Sequence, residues 1–108
     1  MTELASKVCV ACQEGAPKAT KEEIDNNVKE LNSEWNVIDE HHLEREFKFK
    51  DFKETLDFVN KIGEVAESIG HHPNIDFTYG KAKITIFTHK IDGLHVNDFI
   101  LAAKIDEI

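Results

Sequence analysis

Apolar residues between positions 51 and 69 recur with the spacing of one broad helical face. Asp51 and Glu54 have the spacing of an N-cap residue and a reciprocal partner three positions later. Gly70 is typical of the position just past a helix end. The pattern therefore predicts a long helix over 51–69 that ends immediately before a pair of histidines. Its two apolar stripes are Phe52, Leu56, Val59, Gly63 and Ala66, and Phe58, Ile62, Val65 and Ile69.

Two other stretches alternate apolar and polar residues with period two, which predicts strands. The first runs from Trp35 to Lys50 and has turn chemistry at Asp39 and Glu40. The second spans 75–86 and has Gly80 at its turn. Each stretch predicts an antiparallel hairpin with one face against helices and a wetter opposite face. In the first hairpin the charged residues of the wetter face are Glu44, Glu46, Lys48 and Lys50.

Shorter helices are predicted near both ends of the chain. Thr20 and Glu23 have the spacing of a capping box, and the stretch from His95 to about Glu107 places apolar residues on one helical face. The predicted order is α-β-β-α-β-β-α. Hairpins separated by helices predict an α+β two-layer sandwich, in which a four-stranded antiparallel sheet carries the helices on one face.

The length of 108 residues predicts one compact domain, which we place at 20–108 after an N-terminal arm over 1–19. The arm carries Cys9 and Cys12 in a C-x-x-C motif. A structural zinc site would need two further ligands, which histidines could supply, and a redox motif would need a strand before Cys9. The prediction is a reduced cysteine pair in the arm.

The formal net charge of −8 argues against nucleic acid as a partner, because phosphate binding relies on a basic surface. A basic region followed by an apolar run is missing from the start of the chain, and no apolar stretch approaches bilayer-spanning length. The sequence therefore predicts no signal peptide, no transmembrane helix and no membrane partner. A cytoplasmic location is the expectation.

His71, His72 and Pro73 follow the long helix directly. Pro73 disfavours the helical backbone at His72, which restricts where that ring can point. Imidazole can act as both acid and base near neutral pH, because its ordinary pKa is about 6.5. Considered alone, however, a histidine pair between a glycine and a proline is more typical of a solvated surface turn.

The spacing of the wider motif favours a functional site. It reads Glu67, three residues, His71-His72-Pro73, five residues, Tyr79, nine residues, His89, eight residues, Asp98. This pattern resembles that of the pterin-4a-carbinolamine dehydratases, although Gly70 stands where animal members have an aspartate. The resemblance implies dehydration of 4a-hydroxytetrahydrobiopterin to quinonoid dihydropterin without metal or cofactor. It implies catalytic roles for His71, His72 and His89, and substrate binding by Glu67, Gly70, Pro73, Thr88, Lys90 and Asp98.

The resemblance also implies partners: a pterin substrate, a second copy of the chain in a homodimer or homotetramer, and a functional link to an aromatic amino acid hydroxylase in tetrahydrobiopterin recycling. The open face and edges of the predicted sheet independently favour self-association. Two alternatives remain at this point. One is a zinc enzyme with three histidine ligands, although adjacent residues in an extended segment point to opposite sides. The other is a protein-binding dimerisation cofactor of a transcription factor.

Individual residues also have simpler interpretations. His89 has the parity opposite to that of Ile84 and Ile86, so a regular strand would direct it away from the core unless the strand bends. Glu67 could orient a histidine or be ordinary exposed surface, and Asp98 could simply stabilise the start of the last helix. A further group of residues is assigned no role in the site: Tyr79 and Trp35 are expected in the core, and His41 and His42 lie near the first turn, outside the motif.

Overall fold

The computed structural model describes residues 17–108 and confirms the α+β architecture. Three helices and a four-stranded antiparallel sheet follow one another in the predicted order, with a short 3-10 helix before the last α-helix. Their bounds are α1 Lys21–Val28, β1 Asn36–Ile38, β2 His42–Lys48, α2 Phe52–Ile69, β3 Asn74–Thr78, β4 Lys81–Ile86, the 3-10 helix His89–Ile91, and α3 Val96–Asp106.

The two predicted hairpins join through their second strands. The strand order is β1-β2-β4-β3, so β2 and β4 are central while β1 and β3 form the edges. Leu43 of β2 lies opposite Ile86 of β4, and Ile75 of β3 lies opposite Ile84. This register places alternate apolar side chains of neighbouring strands on one face, because side chains in a strand alternate between faces.

The core fills the space between that face and the helices. Leu43, Ile84 and Ile86 are fully buried, as is Phe99 of α3, and all four belong to one apolar cluster. Trp35 is buried as predicted. The prediction of a core position for Tyr79 is wrong: its side chain is exposed because it lies with Gly80 in the two-residue turn between β3 and β4.

Both ends of α2 are specified locally. The Asp51 side chain accepts a 2.8 Å hydrogen bond from the backbone N–H of Glu54, as predicted for an N-cap. The predicted reciprocal bond is wrong, because the Glu54 carboxylate accepts from the backbone N–H of Lys50 instead. At the other end Gly70 has φ 66° and ψ 26°. This left-handed conformation suits glycine and turns the chain out of the helix toward His71.

Arg45 is a charged residue on the inner face of the sheet, at the strand parity of Leu43 and Phe47. Its Nη1 lies 2.7 Å from Asp106 Oδ1 near the end of α3, and its guanidinium lies 4.2 Å from the centre of the Phe47 ring. The indole N–H of Trp35 donates to the same Asp106 oxygen at 2.7 Å. These contacts fasten β2 and the segment before β1 to the last helix.

The start of the described chain is held to the domain. Ala19 donates a backbone hydrogen bond to the carbonyl oxygen of Leu94 at 2.7 Å. The predicted capping box of α1 is present, because Thr20 and Glu23 exchange backbone-to-side-chain bonds. The backbone N–H of Thr20, followed by its hydroxyl, lowers the pKa of the Glu23 carboxyl from its ordinary value.

Cys9 and Cys12 lie outside the described residues, and the boundary between arm and domain stays a prediction. Among the helices of residues 17–108, none has the length and hydropathy needed to cross a membrane.

Candidate active site

The first histidine of the pair is held by a buried carboxylate. His71 Nε2 lies 2.6 Å from Asp98 Oδ1, and the two side chains are 14% and 0% exposed. Asp98 is the third residue of α3, so its position depends on where that helix begins. The end of α2 and the start of α3 therefore meet at this contact.

Asp98 is surrounded by hydrogen-bond donors. Its Oδ2 accepts from the backbone N–H of His95 and from the Thr88 hydroxyl, each at 2.8 Å. An ionised carboxylate can only accept hydrogen bonds, so opposite ionised Asp98 the His71 nitrogen that faces Oδ1 carries the proton. In neutral His71 the proton is then on Nε2, and Nδ1 keeps its lone pair.

The same geometry gives Asp98 two tasks. It bonds the backbone at the start of α3, which the sequence favoured as the simpler interpretation, and it also orients His71. Because its side chain is fully buried, Asp98 lies behind His71 with respect to solvent. That placement suits a positioning residue better than one that touches a substrate.

The second histidine has a different carboxylate partner. His72 Nε2 lies 2.7 Å from Glu67 Oε1, and both side chains are largely exposed, at 59% and 80%. Glu67 belongs to the last turn of α2, where the sequence allowed a role in orienting a histidine. An exposed pair of this kind contributes little to stability. Its effect is to restrict the direction of the His72 ring beside the half-buried Pro73.

His89 lies beyond the end of the last strand. β4 stops at Ile86. Beyond it, Thr88 and Gly93 form an isolated bridge, and the 3-10 helix that begins at His89 lies between these two residues. The expectation that His89 sits at the strand end is therefore wrong, and strand parity does not decide its direction. Within residues 17–108 no hydrogen bond joins it to His71 or His72. The connection runs through the adjacent Thr88, which bonds the carboxylate that holds His71.

The remaining predicted residues divide by exposure. Gly70 and Lys90 are exposed and Pro73 is half-buried, so all three have surface that a ligand could reach. Thr88 is only 4% exposed, and its hydroxyl is engaged by Asp98. The structure therefore brings His71, Thr88 and Asp98 into one network and His72 and Glu67 into a second contact.

Across residues 17–108 no three or more His, Cys, Asp or Glu side chains are arranged to hold a metal ion. His71 and His72 bond separate carboxylates. This arrangement gives the three-histidine zinc alternative no structural support, and the expectation of metal-free chemistry stays a prediction.

A cluster beside His89 was missed by the sequence reasoning. The Phe87 ring has its centre 4.2 Å from that of His89 and 4.8 Å from that of His41. His41 Nε2 lies 2.7 Å from Asp92 Oδ1, a partner 51 residues away in the chain. No local pattern predicts such a contact, because it depends on how the first hairpin meets the loop after β4.

Comparisons with known proteins support the family resemblance that the motif indicated. A model of the family described as pterin 4 alpha carbinolamine dehydratase matches residues 17–108. A protein of Alkaliphilus metalliredigens, provisionally named a pterin-4-alpha-carbinolamine dehydratase, is 53% identical over 107 residues, or 99% of this chain and 96% of the relative. A protein of Rubrobacter xylanophilus with the same name is 53% identical over 108 residues, covering 100% of both chains.

Solved structures share the fold. The crystal structure of a transcriptional coactivator/pterin dehydratase from Brucella melitensis has a TM-score of 0.78 and 28% identity, covering 84% of this chain and 97% of that one. A pterin dehydratase-like protein described as a RuBisCO assembly factor in the alpha-carboxysome has a TM-score of 0.61. Its identity is 24%, with 70% of this chain and 89% of that chain covered, so it shows similarity of fold alone.

Proposed function

Because the chain belongs to the pterin-4a-carbinolamine dehydratase family of hydro-lyases, we propose that it converts 4a-hydroxytetrahydrobiopterin to quinonoid dihydropterin and water. The observation that carries the proposal is the network in which one buried carboxylate, Asp98, holds both His71 and Thr88, the residue before His89. This network contains His71 and reaches the residue next to His89, two of the histidines that the motif assigns to catalysis.

The reaction needs an acid and a base. A proton leaves N5 of the pterin, the C4a–O bond breaks, and the departing hydroxyl takes up a proton to leave as water. The electrons of the N5–H bond form the new double bond between N5 and C4a. The proton lost and the proton gained balance, so two side chains that exchange protons near neutral pH suffice.

His71 is the better candidate for the base. Its Nε2–H is directed at Asp98, so Nδ1 is the nitrogen available to remove a proton. When Nδ1 takes that proton, the imidazolium is stabilised by the adjacent carboxylate, as in other histidine–carboxylate pairs. Asp98 acts as a positioning residue in this assignment, and Thr88 helps to hold it.

His89 is then the candidate for the acid. It is exposed and directly follows Thr88, whose hydroxyl bonds the carboxylate that holds His71. His72 takes the remaining role of holding the pterin, because its ring is exposed and Glu67 and Pro73 restrict its direction. Gly70, Pro73 and Lys90 are the further proposed contacts to substrate.

We also propose that the chain forms a homodimer or homotetramer. Phe52, Leu56, Phe77 and Tyr79 are large apolar side chains that remain 36–68% exposed, and the rings of Phe52 and Phe77 lie 6.1 Å apart. Phe77 belongs to the edge strand β3, whose free backbone groups can pair with another chain. Light scattering at high protein concentration tests this, and a strict monomer would contradict it.

In the cell this activity would support tetrahydrobiopterin recycling, downstream of a cytoplasmic aromatic amino acid hydroxylase that forms the 4a-hydroxypterin. A second candidate is a protein-binding role, because the Brucella melitensis structure is described as a transcriptional coactivator as well as a pterin dehydratase. The exposed apolar side chains named above would be the surface available to such a partner. Binding of a partner by a folded variant that lacks dehydratase activity would favour this second role.

A stopped-flow assay with chemically or enzymatically generated 4a-hydroxytetrahydrobiopterin tests the proposed reaction. Because the substrate also loses water without an enzyme, the rate must be compared with a matched sample that contains no protein. The proposal predicts an increment proportional to enzyme concentration. No increment at micromolar enzyme would overturn it.

A further inference from the structure

Two histidines outside the motif lie against the loop that carries His89. His41 is the last residue of the turn between β1 and β2, and the centre of its ring lies 4.8 Å from that of the Phe87 ring. The ring of His89 also packs on Phe87, at 4.2 Å. Phe87 is therefore in contact with both imidazoles, one in the first hairpin and one in the candidate site.

A second contact reaches the other end of the same loop. His41 Nε2 lies 2.7 Å from Asp92 Oδ1, and Asp92 is the C-cap of the 3-10 helix that begins at His89. The backbone N–H of Asp92 donates to the carbonyl oxygen of His89 at 3.2 Å. His41 thus contacts the residues that precede and close the turn containing His89.

The charge on Asp92 strengthens this contact. The hydrogen bond from His41, followed by the electrostatic attraction of the same ring, lowers the pKa of the Asp92 carboxyl from its ordinary value. On its other side His41 Nδ1 lies 3.0 Å from His42 Nδ1, so one of these nitrogens donates to the other. A neutral His41 can donate to Asp92 and accept from His42, which fixes its ring in one orientation.

Stability alone gives little reason for the arrangement. The His41 and Asp92 side chains are 34% and 82% exposed, and exposed pairs of this kind contribute little to stability. The effect on the reaction rate can be larger, because displacement of a catalytic imidazole by about 1 Å can lower a rate by roughly 100-fold. The contacts of His41 are placed where they would limit such a displacement.

We propose that His41 is a positioning residue that holds the His89 imidazole through Asp92 and Phe87. The inference rests on the proposed function, since it assigns His89 a part in the dehydration. It adds a residue of the first hairpin to a site otherwise built from the loops around α2 and α3.

Kinetics of His41 variants test the inference. His41→Ala removes both contacts and is expected to lower kcat by roughly 10-fold to 100-fold, while KM changes by less than about twofold because His41 does not bind the pterin. His41→Gln keeps an N–H donor for Asp92 and is expected to retain at least half of the wild-type kcat. A Gln variant as slow as the Ala variant would rule out the hydrogen bond as the means of positioning.

Substitution of Asp92, the partner of His41, provides a second test. Asp92 has φ 49°, so Asp92→Gly removes the carboxylate without straining the backbone. If both residues act through one contact, the double variant loses no more kcat than the worse single variant, whereas independent losses that multiply would contradict the inference. Lys83→Ala is the matched control, because it removes an exposed 3.6 Å ion pair with Glu44 elsewhere on the sheet.

A measurement without substrate separates this inference from the proposed function. In the free protein, the imidazole NMR signal of His89 is expected to shift in His41→Ala and to stay near its wild-type position in Lys83→Ala. If the wild-type protein shows no dehydratase activity, the proposed function fails while the NMR comparison still tests the positioning. An unchanged His89 signal in a folded His41→Ala variant would overturn it.

Discussion

The Asp98 carboxylate lies 2.6 Å from His71 Nε2 and also accepts a hydrogen bond from the backbone N–H of His95. One side chain therefore bonds the backbone at the start of α3 and orients a histidine 27 residues earlier in the chain. The placement of His71 therefore depends on the start of the last helix. Local stability and the geometry of the candidate site are coupled at this point.

Asp98→Asn should separate the charge of this side chain from its shape. An amide can accept at one atom only, so at least one of the three donors around residue 98 is left without an acceptor. We expect kcat to fall by roughly 100-fold or more, and the free energy of unfolding by about 1–3 kcal/mol. Steady-state kinetics and thermal unfolding measure the two effects.

Thr88→Ser is the matched control for this change. It keeps the hydroxyl that donates to Asp98, and it should retain kcat within a few-fold of the wild type. An Asp98→Asn enzyme with wild-type turnover would show that Asp98 does not set the orientation or tautomer of His71 needed for the reaction.

Gly70→Ala should test whether the left-handed end of α2 is required. A Cβ at Gly70 would meet no atom within 4 Å, so the substitution costs only the strain of φ 66°, which is roughly 1–2 kcal/mol. Gly63→Ala is the natural control, since Gly63 is inside α2 and its added Cβ also meets nothing within 4 Å. That change should stabilise the protein by about 0.5–1 kcal/mol.

Chemical denaturation of both glycine variants measures this contrast. The opposite signs are the informative result, because the two changes add the same methyl group to the same helix region. Equal effects from the two variants would contradict the role assigned to the backbone at Gly70.

Arg45→Met should lower stability without changing catalysis. The substitution keeps an apolar stem beside Phe47 but leaves Asp106 without its 2.7 Å ion pair, which should cost on the order of 1–3 kcal/mol. Lys83→Ala, which breaks an exposed ion pair, should cost less than about 1 kcal/mol. Urea denaturation measures both losses. A smaller loss for Arg45→Met than for Lys83→Ala would be inconsistent with a stabilising role for the contact between Arg45 and Asp106.

The helices and hairpins followed from local signals, whereas much of the site did not. The end of α2 was predictable because Gly70 marks it in the sequence, and the hairpins were predictable from period-two alternation. Arg45 has the strand parity of Leu43 and Phe47, but no local pattern indicated its ion pair, because Asp106 is 61 residues away in the chain. β4 ends at Ile86 as the alternation predicted, whereas the bridge between Thr88 and Gly93 beyond it had no sequence signal. Motif spacing selected the histidines of the candidate site, an assignment that stays a prediction. It did not indicate their partners, because those contacts form only when α2, α3 and the first hairpin pack together.

His72→Ala should act mainly on substrate binding. The ring is 59% exposed and its partner Glu67 is 80% exposed, so its loss removes a surface contact without disturbing the Asp98 network. We expect KM to rise while kcat stays within a few-fold of the wild type, which is the kinetic signature of lost uniform binding. Glu67→Gln keeps an acceptor for His72 and should show a smaller rise. A fall in kcat as large as that of His71→Ala would mean that His72 takes part in proton transfer.

The double variant His71→Ala, His89→Ala tests the central claim most directly. If these two histidines supply the base and the acid, each single variant should lose on the order of 10²-fold to 10⁴-fold in kcat, and the double variant should be indistinguishable from the uncatalysed reaction. Far-UV circular dichroism must show that it is folded, and the stopped-flow rate with 4a-hydroxytetrahydrobiopterin is then the measurement. A rate at the level of the protein-free sample is the predicted result, and near-wild-type turnover by the folded double variant would contradict the acid–base account.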